Sequence, residues 1–450
     1  MRPGRVVIIN DRSAEIGGAS NLSCLAARML REAGVPVTFF AGDEPAGTAE
    51  PETIHVNGKP LVEQGRLSAL AGGLYNRNAY KILSGWIARH DRPSTIYHVH
   101  GWSKILSPST FKALIPVRER VVLHAHDYFL ACPNGGFINY PASSICTLDP
   151  MSLRCLTTQC DKRGYHQKAW RSTRHFLLQR FFALSSRPAN IVLVHEQMRG
   201  FFKRAGVEDS RMVTIRNPVA PFLSSNTRPH IQRDFFFIGR LESEKGFEDA
   251  ARAARLAGVP LHVIGEGAGR ALLEERYPEV MLHGWCNRAQ IADRLRQARC
   301  VIVSSRVPEP FGLAALEAVG SGIPVVLPSH ALLAAELTEA GAAFTFPTGG
   351  IEALAAKLRR LAGDDDLVAE MSENARVCAP HFANTTQSWL SALLDLYADI
   401  LDGAITARAP TQGRREGTGN QVFGAGGTKS ETGADPNAFG HAASQSNDAG

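Results

Sequence analysis

The sequence predicts an α/β protein made of two doubly wound domains that face each other across a cleft. Three observations lead there. Most predicted strands are short continuous apolar runs rather than alternating ones, the pattern of parallel strands covered on both faces. Strand–helix alternation runs twice, over residues 1–216 and again over 234–385. Between the two lies segment 217–233, whose three prolines and two adjacent serines read as an interdomain linker.

In the first half, residues 5–10 read as a buried strand. Gly17 and Gly18 then turn the chain into a helix over 19–33, with Leu22, Leu25, Ala26, Met29 and Leu30 at helical spacing. Further strands are expected at 35–41, 95–100, 120–126 and 190–195. The second half repeats the pattern, with strands at 234–238, 260–264, 280–283, 300–304, 323–327 and 343–346. Helices fit at 247–257, 287–298, 311–320, 331–340 and 350–361, and a last amphipathic helix at 386–403. From residue 404 to 450, Gly, Ser, Thr, Asn and Ala dominate, and this tail is expected to be disordered because it has too little apolar surface to bury.

The chain has 450 residues, 44% hydrophobic and 20% charged, with a net charge of +6. That excess suits an anionic ligand or an anionic membrane surface, and it is too small to argue for nucleic acid. The apolar run near the N-terminus is a strand and not a signal peptide, and no run approaches the roughly 18 apolar residues of a membrane span. A cytoplasmic protein with reduced cysteines is therefore expected.

The chemistry-bearing residues sit at predicted strand ends. Glu309, Pro310, Phe311, Gly312 and Leu313 follow one strand and open a helix that carries Glu317. Gly312 lets backbone approach a diphosphate at the helix N-terminus, where free N–H groups and the dipole favour negative charge. Glu317 suits a ribose diol, and Glu309 the hydroxyls of a hexose. Read alone, such a glutamate pair is an ordinary solvated helix face. Gly239, Arg240 and Lys245 leave the C-terminal end of the strand at 234–238, where open α/β sheets place ligands. Two cations there can neutralise a departing diphosphate without a metal; in isolation they would be a solvated basic loop. Gly265 and Gly267 end another strand, followed by His283, Gly284 and Trp285.

In this order the motifs resemble the donor site of the family 4 retaining glycosyltransferases, which have the GT-B fold of two Rossmann-like domains. The resemblance covers most of residues 5–400 and is tightest in the second domain. It implies transfer of a sugar from a nucleotide-sugar, such as a UDP- or GDP-sugar, to an acceptor hydroxyl. Anomeric configuration would be retained, with no divalent metal or other cofactor required. It implies that Arg240 and Lys245 stabilise the leaving diphosphate, that Glu317 holds the ribose and that Glu309 holds the transferred sugar. Phe311, Gly312 and Leu313 line the donor, the Gly265–Gly267 turn approaches it, and backbone near Trp285 meets the base. In the first domain Gly17 and Gly18 match the family's glycine loop, and His126, followed by Asp127 and Tyr128, matches its active-site histidine. Where the family often carries a carboxylate after Gly-Gly-Ala, this chain has Ser20, which removes any carboxylate role on the acceptor side. The terminal helix is expected to cross back to the first domain. Bacterial surface-polysaccharide assembly, with a lipid-linked saccharide acceptor and peripheral contact at the cytoplasmic face of the inner membrane, follows from the resemblance alone.

Other readings stay open. A nucleotide-sugar 2-epimerase can use a similar cleft, and so can a non-catalytic nucleotide-sugar-binding subunit. His98, His100 and His124 read as core or cleft wall. Cys132, Cys146, Cys155 and Cys160, four of the eight cysteines, fall in an insertion at 131–165; they are either ligands of a structural metal such as zinc, or unliganded thiols or a redox-labile disulfide. Residues 162–187 mix Arg and Lys with Trp and Phe, as an interfacial helix on anionic lipid would, or as a surface helix with an apolar core face would.

Overall fold

A computed structural model describes residues 1–45, 52–182, 190–224 and 227–403. The tail expected to be disordered and the end of the basic segment 162–187 lie outside the described residues.

The continuous apolar runs become sheet interiors. The first sheet contains β1 (Arg5–Asn10), β2 (Val37–Ala41), β3 (Thr53–His55), β4 (Thr95–Val99) and β5 (Val121–Ala125). A small hairpin, β6 (Ile138–Asn139) and β7 (Ser144–Ile145), interrupts the series before β8 (Asn190–Leu193) and β9 (Met212–Thr214). The seven sheet strands lie in the order β3-β2-β1-β4-β5-β8-β9, all parallel. Val6, Val7, Ile8 and Ile9 are at most 1% exposed, so both faces of β1 are covered. The second sheet holds β10 (Asp234–Ile238), β11 (Leu261–Ile264), β12 (Met281–Gly284), β13 (Ala298–Ile302), β14 (Val325–Pro328) and β15 (Ala343–Phe346). Its order is β12-β11-β10-β13-β14-β15, again all parallel.

In each sheet strands are added first on one side and then on the other. The reversal falls between β1 and β4 in the first sheet and between β10 and β13 in the second. Loops leaving the carboxyl ends of such strands diverge and open a crevice, which is where doubly wound sheets bind ligands.

The last helix, Thr386–Leu401, belongs to the first half in space. Trp389, Leu393 and Tyr397 are fully buried in one cluster with Val6, Ile8, Ile96 and Val122. Tyr397 Oη of this helix lies 2.6 Å from His98 Nδ1. The proline-rich segment is packed rather than loose. Leu223 donates its N–H to Ser321 Oγ at 3.0 Å, and Phe222 and Leu223 are buried. Strands β3 and β9 and the helices Arg66–Leu74, Arg77–His90 and Asp365–Phe382 lie outside the expected elements. The two strands are three-residue sheet edges, and the first helix carries Gly72-Gly73 and the last Pro380, residues that weaken a helical signal.

Candidate active site

The reversal between β10 and β13 gathers the predicted cations and carboxylate. Strand β10 ends at Ile238, and the chain runs through Gly239 and Arg240 into a turn of 3-10 helix, Ser243–Lys245. Strand β13 ends at Ile302 and leads to Glu309. Lys245 Nζ donates to Glu309 Oε1 at 2.5 Å. Burial pushes the Glu309 carboxyl up, but Lys245, Ser305 and Arg240 outweigh it and hold the group below the usual carboxylate range. Glu309 is therefore an anion between two cations at neutral pH. Arg240 is exposed and has no ion-pair partner among the described residues, so its charge is available to a ligand.

Gly265 explains how the neighbouring loop comes so close. It has φ +143°, and a Cβ there would sit 1.9 Å from the carbonyl oxygen of Gly239. A side chain would push the β11 loop off the Arg240 loop. Gly267 of the same turn abuts the Leu241 backbone.

Past Glu309 the chain enters the helix Leu313–Gly320, whose N-cap is Gly312 in the left-handed region, φ +66°. No side chain caps this end, which leaves its first N–H groups without intrahelical acceptors and aimed into the cleft. Phe311 is 4% exposed and packs in the core. Leu313 faces the other domain: a Cβ on Gly18 would lie 3.3 Å from Leu313 Cδ1. The Gly17–Gly18 loop of the first domain thus stands directly over the helix start of the second.

Glu317 lies one turn further on. Arg288 Nη1 donates to Glu317 Oε1 at 2.5 Å, and Nη2 donates to the carbonyl oxygen of Pro221 at 2.9 Å. Burial raises the Glu317 carboxyl, and Arg288 only partly offsets this. Sequence reasoning missed Arg288, although a signal existed. It opens the helix Arg288–Leu295 directly after the Asn287 cap, where a cation opposes the helix dipole and so calls for a specific anionic partner. Trp285 is 73% exposed. Its side chain points to solvent, so any contact to a base there falls to the backbone.

On the first-domain side, His126 follows β5 and belongs to a stack of four imidazoles. His100 Nδ1 lies 2.9 Å from His126 Nε2, and His124 Nδ1 lies 3.2 Å from His98 Nε2. His98, His100 and His124 are buried, as the core reading expected, and their ligating atoms lie within 4.8 Å of one another. Burial holds all four rings neutral, pushing His126 down to about 3. Asp127 is exposed and accepts from the Phe129 N–H at 2.9 Å. Tyr128 is 1% exposed with its hydroxyl unpartnered.

The four clustered cysteines are free and do not gather as a metal centre; among the described residues no three of their sulfurs come within 4.8 Å of one another. Instead the buried Lys168 donates from Nζ to Cys160 Sγ at 3.2 Å and to Cys155 Sγ at 3.4 Å. In segment 162–187 the helix Tyr165–Phe181 turns Lys168, Ser172, Arg174, His175 and Leu178 inward, while Tyr165, Phe176 and Arg180 stay exposed on its outer face. Among the described residues no helix is long and apolar enough to cross a membrane.

Two family models match successive parts of the chain. Residues 16–221 match "Glycosyltransferase Family 4" and residues 223–377 match "Glycosyl transferases group 1". A GDP-mannose-dependent alpha-mannosyltransferase of Corynebacterium glutamicum is 24% identical over 250 residues, covering 54% of this chain and 57% of that protein. The chain therefore spans little more than half the length of this curated relative. Among solved structures, sucrose-phosphate synthase from Thermosynechococcus elongatus superposes with a TM-score of 0.66 at 17% identity, covering 89% of this chain and 99% of the other. Anabaena HepE in complex with UDP and glucose gives 0.61 at 17% identity, covering 88% and 99%. WaaG, a glycosyltransferase of lipopolysaccharide biosynthesis, gives 0.59 at 17% identity, covering 88% and 100%. These likenesses show the GT-B fold.

Proposed function

We infer the reaction from one premise: the chain belongs to the family 4 glycosyltransferases, with a group 1 transferase domain in its second half. It transfers a sugar from a nucleotide-sugar to an acceptor hydroxyl. The observation that carries the reading is the cluster at the β10/β13 reversal, where Lys245 pairs with Glu309 at 2.5 Å and Arg240 stands beside them without a partner.

The donor diphosphate lies against Arg240, Lys245 and the uncapped helix start after Gly312. Glu317, held by Arg288, accepts from the ribose hydroxyls, and Glu309 accepts from the hydroxyls of the transferred sugar. As the bond to the anomeric carbon breaks, negative charge grows on the leaving phosphate, and two fixed cations stabilise it more in the transition state than in the ground state. The acceptor hydroxyl enters from the first-domain side, past Gly17, Gly18 and the neutral His126. It attacks the face that the diphosphate leaves, so configuration is retained, and the departing phosphate takes its proton. The donor is a UDP- or GDP-sugar: HepE binds UDP with glucose and the curated relative uses GDP-mannose. The likeness to WaaG favours a role in surface-polysaccharide synthesis on a lipid-linked saccharide.

The test is turnover of Arg240→Ala. A drop in kcat/KM of about 100-fold or more is expected, the magnitude seen when one preorganised transition-state donor is lost. Near-normal turnover by a folded variant would contradict the assignment.

A further inference from the structure

Beside the donor crevice, on the first-domain side of Arg240, lies a cavity of about 960 Å³. Two of its walls are the loops at the other strand reversal. Arg12 follows β1, and Trp102, Ser103 and Lys104 follow β4. Asp11 ties the loops together, accepting from the backbone N–H groups of Lys104, Ile105 and Leu106 at 2.8–2.9 Å. The third wall is the helix Tyr165–Phe181, through Gln167, Trp170, Arg171, Arg174 and His175.

The lining charge is one-sided. Eight lining residues are Arg or Lys and one, Glu242, is acidic. Much of that charge is unanswered by protein carboxylates. Arg12, Arg66, Lys104, Arg163 and Arg240 have no ion-pair partner among the described residues. Arg174, 6% exposed at the floor, donates only to backbone carbonyls, those of Gly73, Trp102, Ser103 and Leu106. Burial lowers this guanidinium to about 10, so it still carries its charge at neutral pH. A buried cation held by carbonyl dipoles and by the faces of Trp102 and Trp170, ringed by unpaired cations in a low-dielectric concavity, focuses a strong positive potential on the space.

The rim has a second character. Leu61, Val62 and Leu70 line the cavity mouth, with Val62 76% and Leu70 43% exposed, and Leu67 beside them is 83% exposed. Apolar side chains standing in water next to a cationic hollow suit a ligand with an anionic head and a hydrocarbon end.

We propose that this cavity seats the acceptor through a phosphate or diphosphate of its own, held by Arg12, Lys104 and Arg163 over the Arg174 floor. The proposal rests on the transferase reading and deepens it by giving the acceptor's chemical class. Arginine forks match phosphate oxygens in pairs, and so many unpaired cations exceed what one sugar carboxylate requires. The phosphate belongs either to a lipid carrier, whose chain leaves across Val62 and Leu70, or to a soluble glycosyl phosphate. With Arg240 shared between cavity and donor crevice, an acceptor anchored here presents its hydroxyl at the leaving group.

The test is binding, so it survives failure of the transferase reading. Full-length protein saturated with UDP, which fills the donor diphosphate position, is titrated with inorganic pyrophosphate and followed by calorimetry and by the fluorescence of Trp102 and Trp170. Saturable binding is expected, weakened about tenfold or more by Arg163→Gln and again by Lys104→Gln, as for loss of a charge-assisted contact. The UDP affinity of each variant, measured alongside, reports an intact fold. Citronellyl diphosphate in place of pyrophosphate separates the sources. Tighter binding that Val62→Asp abolishes identifies a lipid carrier, and equal binding identifies a soluble phosphate. No pyrophosphate binding at low salt, or binding that both cavity variants leave unmoved, overturns the proposal. So does a neutral or uronate-bearing acceptor turned over as well by the double variant as by the wild type.

Discussion

The two sides of the cleft hold their charges differently. On the second-domain side three cations next to the candidate donor position are paired: Lys245 with Glu309 at 2.5 Å, Arg288 with Glu317 at 2.5 Å and Arg306 with Asp249 at 2.6 Å, with Arg240 the exception. On the first-domain side Arg12, Lys104 and Arg163 have no ion-pair partner among the described residues. Paired charges fix side chains before a ligand arrives, which costs little reorganisation when charge develops in a reaction. Unpaired charges store attraction for an anion that has yet to bind. The contrast marks the donor crevice as the place of chemistry and the cavity as a place of capture.

Breaking the paired side should have the largest effect. Lys245→Ala removes a cation and strands Glu309 as a buried anion, so kcat should fall about 100- to 1,000-fold, read as nucleoside diphosphate release at saturating donor. Glu309→Gln should lower kcat without raising donor KM in proportion if its contact to the sugar strengthens in the transition state.

The histidine stack separates the sides by pH. Its four rings are held neutral in the fold, whereas in the unfolded chain they protonate below about 6.5. Their folded values are depressed, so the stability they contribute is present above pH 6.5 and is lost as pH falls. Each ring costs about 1.4 kcal/mol per pH unit in that window. Urea midpoints measured between pH 7 and pH 5 should therefore fall steeply, and His124→Gln should make the fall shallower by about one ring's share.

Arg288→Ala sharpens the comparison more gently. Glu317 loses the fork that orients it, and donor KM should rise about tenfold with kcat little changed, the signature of lost uniform binding. Trp285→Ala should do least. With its side chain 73% exposed, a change in KM below about twofold is expected, and a large change would mean that the indole folds over the base.

Much of this was legible in the sequence. Buried parallel strands write themselves as apolar runs, so β1, β10 and β15 were located to the residue. Short edge strands such as β3 bury too little to leave that trace. Glycines that permit backbone contact, such as Gly265, announced their loops. What the sequence hid was pairing across distance. Nothing local shows that Arg288 will meet Glu317, or that Arg12 and Lys104 will line one cavity with Arg163. The helix Tyr165–Phe181 hid its partners for a related reason. Composition does not reveal that Lys168 and Arg174 on its inward stripe meet thiols and carbonyls.

The most direct measurement is release of nucleoside diphosphate from a panel of UDP-, GDP-, ADP- and dTDP-sugars by the full-length protein, with EDTA present, with and without a lipid-linked saccharide acceptor. Release from one donor, accelerated by acceptor, indifferent to EDTA and lost in Arg240→Ala, is the predicted result. A folded protein that binds a donor and releases no diphosphate with any acceptor, or that remakes the donor sugar without one, would contradict the account.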